Sequence, residues 1–152
     1  KIRAVGVFVN APMELVRDLL NDGTLALAQL HGQEDESYIR ELKTYTDKLI
    51  IKAFSIKTTE DIEKALQSPA DYILLDQGGG GTGKTFDWSL IPEIQRPFFL
   101  AGGIGASNLG QAIREIHPYA VDLSSSVETE KRKDPMKIRQ VVDIVREIRI
   151  IN

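Results

Sequence analysis

One repeat governs what this chain can fold into: a short apolar run ends every 22 to 25 residues, at Val9, His31, Phe54, Asp76, Ala101 and Ser124. The runs occupy 4–10, 25–32, 48–56, 71–76, 97–104 and 119–126, and each is continuous and rich in Val, Ile, Leu and Phe. Runs of that length and composition read as buried strands. Most are followed by a segment with helical periodicity. Met13, Val16, Leu19 and Leu20 share one face, with Pro12 suited to the opening turn; Tyr38, Ile39, Leu42 and Tyr45 share another. Ile62, Ala65 and Leu66 follow a capping-box-like pair, Thr58 and Asp61. Leu109, Ala112, Ile113 and Ile116 form a fourth stripe, and Ile138, Val141, Val142, Val145 and Ile148 the clearest one. A strand and a helix repeated at this period predict stacked βα units with right-handed crossovers onto a parallel sheet. An open doubly wound sheet fits the length, and a (βα)8 barrel fits the period. Eight such units need roughly 190 to 200 residues. The chain has 152 residues and six units, so the sheet is open or the barrel lacks about 50 residues.

Composition narrows the functional classes. Nineteen Lys and Arg stand against 22 Asp and Glu, for a net charge of −3. With no basic stripe, a nucleic-acid or anionic-membrane surface is not expected, because phosphate-rich partners need clustered cations. No apolar run approaches the roughly 18 residues of a membrane span, and no secretory apolar segment is visible. Cysteine is absent, which removes disulfides, thiolate zinc sites and a thiol nucleophile from this chain. The first residue is Lys1 and a strand-like run follows almost at once, so the chain is expected to start inside a larger gene product.

Three stretches carry chemistry, and all follow strands. Residues 78–85, GGGGTGKT, satisfy the phosphate-binding pattern G-x-x-x-x-G-K-[ST] through Gly78, Gly83, Lys84 and Thr85. The context is poor for nucleotide binding, since Pro92 interrupts any helix within two turns. Asp76 ends its strand immediately before this loop, at the carboxyl end where α/β proteins place their sites. After the next strand, Gly102, Gly103 and Gly105 precede Ser107 and Asn108 at a helix start, and after the last, Asp122, Ser124, Ser125 and Ser126 add hydroxyls and backbone donors. Loops in these last two positions often hold a phosphate in barrel enzymes. His31 closes the second strand without a second metal-type ligand nearby, and no metal site is expected. His117 reads as a helix-end residue and residues 128–134, ETEKRKD, as a solvated loop of mixed charge.

In combination, VGVFVN (5–10), QLHG (29–32), LLD (74–76), GGTGKTFDW (80–88), LAGGI (100–104) and DLSSSVE (122–128) resemble the phosphoribosylanthranilate isomerase family, in the right order and along the whole chain. The resemblance implies a single (βα)8 barrel domain, present here as an incomplete barrel of six βα units lacking the first two. It implies a cytoplasmic enzyme of tryptophan biosynthesis that needs no cofactor and no metal. The reaction implied is the Amadori rearrangement of N-(5'-phosphoribosyl)anthranilate. Asp76 matches the family's general acid, His31 and Asp122 substrate-side positions, and Gly102, Gly103, Ser124 and Ser125 the phosphate-holding segments. Gly80, Gly81, Gly83 and Lys84 match a lid loop rather than a nucleotide cradle. The family's base, a cysteine in a Lys-Ile-Cys-Gly type motif, and an arginine holding the anthranilate carboxylate have no counterpart here. The chain alone is therefore expected to be inactive, and its open sheet edges near 4–10 and 119–126 to seek a second copy or a complementing segment. The expected partner is a small phosphorylated substrate, not nucleic acid or membrane. A non-catalytic phosphate-binding module and a P-loop nucleotide hydrolase are the alternative readings.

Overall fold

The computed structural model describes residues 2–76 and 88–151. Six strands carry the fold: β1 (Val5–Phe8), β2 (Leu27–Leu30), β3 (Leu49–Ser55), β4 (Tyr72–Asp76), β5 (Phe98–Ala101) and β6 (Ala120–Val121). The helices are α1 (Met13–Asn21), α2 (Glu36–Tyr45), α3 (Thr59–Leu66), α4 (Leu109–Ile116) and α5 (Pro135–Ile151). Sheet order follows chain order, β1-β2-β3-β4-β5-β6. A doubly wound sheet doubles back at a switch point, so an order that never reverses favours barrel-type winding over the open alternative. Registers are parallel: Val5 lies opposite Leu27, Leu27 opposite Leu49, and Phe99 opposite Ala120.

Two compact units divide the chain, Lys1–Phe54 with Glu60–Leu74, and Ser55–Thr59 with Leu75–Asn152. In the first, the helical stripes read from sequence point inward. Val16 and Leu20 of α1, and Ile39 and Leu42 of α2, pack with Phe8, Ala28, Leu30, Ile50 and Ala70. Asp35 caps α2 by accepting the Tyr38 N–H at 2.8 Å, and α3 starts at Thr59, which leaves Thr58 in the capping position. All four residues of β2 are buried, as expected for a strand covered on both faces. The first strand departs from the buried reading: Val5, Val7 and Val9 are 41%, 61% and 65% exposed. β1 pairs with β2 on one side, and its alternate residues face outward, while Phe8 turns into the core.

In the second unit α4 packs on α5, and Phe98, Leu100, Ala101, Leu109, Ala112, Val141 and Ile148 are buried. α4 ends at His117 in a left-handed cap, φ 52°, consistent with its helix-end reading. Two sequence expectations fail here. The last strand does not run to Ser126: pairing ends with the Asp122 N–H on the Leu100 carbonyl at 2.9 Å, Ser124 leaves the extended region (ψ −84°), and Ser125–Val127 form a 3-10 turn. Residues 128–134 are not a plain solvated loop either. β7 (Glu128–Thr129) pairs antiparallel with β8 (Arg132–Lys133), through Glu130 (φ 50°) and Lys131 (φ 62°). Two consecutive positive φ values are those of a type I′ hairpin turn, which Asn-Gly usually announces and Glu-Lys does not.

The lid positions Gly80, Gly81, Gly83 and Lys84 lie outside the described residues. The next described element is a single 3-10 turn, Trp88–Leu90, rather than the helix a P-loop opens. Among the described residues no helix is long and apolar enough to cross a membrane. Leu20 and Ile50 are fully buried, so Leu20→Ala or Ile50→Ala is expected to lower unfolding free energy by about 2–5 kcal/mol, read from denaturant midpoints.

Candidate active site

In the second unit, the carboxyl ends of β4, β5 and β6 supply the expected residues. Asp76 is the last residue of β4 and is half-buried. Its carbonyl accepts the Ile56 N–H at 2.7 Å, which fixes the strand end. Gly102 (φ 84°) and Gly103 (φ 63°) turn the chain out of β5 through left-handed conformations that side chains disfavour. Asn108 closes this turn: its Oδ1 accepts the Gly105 N–H at 2.9 Å, and its Nδ2 donates to the Gly103 carbonyl at 3.0 Å. A Cβ placed on Gly105 would stand 3.1 Å from the Ser126 Cβ. The Gly105 end of the glycine turn therefore lies close against Ser126. Gly103, Asp122, Ser124 and Ser125 are exposed. Backbone N–H groups at a glycine turn and at the start of a helical turn suit an anion. Among the described residues no group of His, Asp and Glu side chains could hold a metal ion.

In the first unit, His31 follows β2. Its N–H donates to the Phe8 carbonyl at 2.7 Å, its Nδ1 lies 3.0 Å from the Gln29 Nε2, and its surface is exposed. Behind it lies a buried polar cluster that sequence reading did not find. The Lys52 Nζ donates to a Glu34 Oε2 at 3.0 Å and to the Gly32 carbonyl at 2.8 Å. The Glu34 carboxylate also accepts the N–H groups of Asn10 (2.6 Å) and Gly32 (2.8 Å), and the Asn10 Oδ1 accepts the Gln33 N–H at 2.6 Å. The Lys52 and Glu34 side chains are 7% and 1% exposed. Burial by itself would raise the Glu34 carboxyl, but the Lys52 ammonium and the N–H donors of Glu34 and Asn10 hold it below the ordinary glutamate value. Burial, then the charges of Glu34 and Glu14, push the Tyr38 hydroxyl up; it donates to the Ala11 carbonyl at 3.1 Å. A signal existed in IIKAF (50–54), where a lysine inside an apolar strand requires a buried anion.

The model of the family "N-(5'phosphoribosyl)anthranilate (PRA) isomerase" matches residues 1–144. The chain belongs to the phosphoribosylanthranilate isomerase family. The isomerase of Endomicrobium trichonymphae is 44% identical over 97% of the chain and 74% of that protein. That of Thermoanaerobacter sp. is 41% identical over 98% and 75%. Among solved structures, the phosphoribosylanthranilate isomerase of Thermotoga maritima superimposes with TM-score 0.82 at 36% identity, over 96% of this chain and 74% of that one. A family member in complex with reduced 1-(o-carboxyphenylamino)-1-deoxyribulose 5-phosphate gives TM-score 0.79 at 34% identity, over 96% and 72%. The six strands, five of them followed by an α-helix among the described residues, thus belong to the family's (βα)8 barrel, and the open doubly wound alternative is set aside.

The buried pair yields a stability prediction. Lys52→Met strands a buried carboxylate and is expected to cost about 3–5 kcal/mol, whereas adding Glu34→Gln to it recovers part of the loss. The contribution of ionised Glu34 is full above its ordinary value of 4.5 and drains away as pH falls through the lower folded-state value. Denaturant midpoints measured against pH check both outcomes.

Proposed function

We propose that this chain serves the Amadori rearrangement of N-(5'-phosphoribosyl)anthranilate to 1-(2-carboxyphenylamino)-1-deoxyribulose 5-phosphate. Asp76 acts as general acid. It gives a proton to the furanose ring oxygen, the C1'–O bond breaks, and a Schiff base forms with the anthranilate nitrogen. A base then removes the C2' proton, the resulting enolamine takes a proton at C1' and gives up its C2' hydroxyl proton, and the ketoamine is released. The 5-phosphate is held by backbone N–H groups of the Gly102–Gly103 turn and the Ser124–Ser125 segment, with Asp122 and His31 on the substrate side. The lid role of Gly80, Gly81, Gly83 and Lys84 is part of the same reading. The observation that carries it is the contact of Gly105 with Ser126, which joins the two anion-type turns of a chain whose residues 1–144 match the family.

The chain contains no cysteine, hence no thiolate to take the C2' proton. The 152-residue chain by itself is expected to form no ketoamine above background when product is followed by chromatography, while still binding a pentose phosphate. Measured turnover would overturn the first statement. In a form of the enzyme that does turn over, Asp76→Asn is expected to lower kcat about 100-fold to 10,000-fold, and an unchanged kcat would remove the acid assignment.

Among the described residues β1 ends the sheet order and pairs with β2, which supports a further part of the reading, self-association along that edge or pairing with a complementing strand. Val7→Lys places a charge on the outward row of that strand. It is expected to shift the chain toward monomer in sedimentation; a monomeric parent chain would count against association.

A further inference from the structure

Lys133 lies outside every role assigned above. From β8, its Nζ donates to the Ser124 carbonyl at 3.0 Å, to the Ser124 Oγ at 3.3 Å and to a Glu128 Oε1 at 2.8 Å. The hairpin that carries it is itself tied down. The Thr129 Oγ1 donates to an Asp134 Oδ2 at 2.7 Å, the Asp134 N–H to the Val127 carbonyl at 2.8 Å, and the Lys137 Nζ to the Glu128 carbonyl at 2.6 Å. Ser124 is the residue at which the backbone leaves the ladder, with φ −122° and ψ −84°. Its conformation is therefore not fixed by strand pairing: the carbonyl accepts the Val127 N–H of the 3-10 turn at 3.3 Å, and Lys133 adds a shorter, charge-assisted bond to it and a bond to the hydroxyl.

The geometry of the peptide group turns this grip into an orientation. The Ser124 carbonyl and the Ser125 N–H belong to one planar trans unit and point in opposite directions. When Lys133 draws the carbonyl toward the hairpin, the Ser125 N–H is aimed away from it. Ser125 opens the 3-10 turn, so that N–H has no partner within the turn. We infer that Lys133 is a positioning residue of the phosphate site: by holding the Ser124 carbonyl it aims the Ser125 N–H at the substrate's phosphate. The inference rests on the proposed phosphate-holding role of Ser124 and Ser125. Glu128 balances the lysine charge at 2.8 Å, so orientation rather than net charge is what Lys133 supplies. Its side chain is 53% exposed, and an exposed ion pair adds little to global stability.

The test is titration of the 152-residue chain with ribose 5-phosphate, followed by amide NMR with Gly103 and Ser125 assigned. In the parent chain both amides should shift with one saturation curve. Lys133→Met is expected to weaken binding about tenfold, the scale of one charge-assisted hydrogen bond. It should also shrink the Ser125 response while Gly103 still titrates and the remaining amides keep their positions. Lys133→Arg should restore affinity to within about threefold, because it can still donate to the carbonyl. Raising the salt concentration should leave the ratio of parent to Lys133→Met affinity unchanged, as an orienting role requires. If Lys133→Met binds like the parent with a full Ser125 shift, or if salt erases the difference, the positioning role is wrong. Should Lys133→Met unfold, Lys133→Gln against Lys133→Arg decides, and equal affinities overturn the inference. If the parent chain shows no shift at Gly103 or Ser125, the phosphate reading fails first and takes the inference with it.

Discussion

Parallel pairing of successive strands is the constraint from which the rest follows. A parallel partner can be reached only by a crossover, so each strand must be followed by a segment long enough to carry the chain back to its starting end. Helices α1, α2, α3 and α4 fill four of those returns, and their apolar stripes are buried. The turns leaving the strands then gather at the carboxyl ends. In the second unit, Asp76 closes β4, Gly102 and Gly103 leave β5, and Asp122 sits where β6 pairing stops. Backbone hydrogen bonding alone thus collects an acid and two donor-rich turns, before any substrate is considered.

Polar anchors refine what pairing leaves loose. Ser124 has already left the ladder, and its carbonyl is shared between the Val127 N–H of its own turn and Lys133 of the hairpin, which also reaches its hydroxyl. In the first unit, the loops after β1 and β2 share one buried carboxylate, Glu34, whose charge is met by Lys52 of β3. Both cases use a lysine from one element to set the backbone of another. They differ in solvent: the buried pair is costly to break, whereas the exposed ion pair adds little to global stability.

Most of the architecture was legible because it rests on local periodicity. The stripe Val16–Leu20 and the run LAQL at 27–30 announce a buried helix face and a buried strand in sequence alone. What escaped depends on partners distant in sequence. Lys52 inside IIKAF calls for a buried anion, but only the fold shows that the anion is Glu34, 18 residues earlier in the chain. The hairpin at 128–133 uses positive φ at Glu130 and Lys131, residues with no propensity that would betray it. The end of β6 was overestimated because DLSSS continues the strand pattern while its backbone turns at Ser124. The motifs offer Asp76, Gly103 and Ser124 only as candidates, and the close approach of two of their loops, Gly105 against Ser126, is visible only in three dimensions.

The crowding at Gly32 reaches beyond this chain. A methyl group there would fall 2.5 Å from the Asn10 Oδ1 and 2.7 Å from its backbone nitrogen, so even alanine would pry apart the two loops flanking His31. The volume of a single methyl group is then enough to exclude a side chain here. An unvarying glycine beside the histidine across relatives would record a steric ceiling and should not be counted as a vote for chemistry.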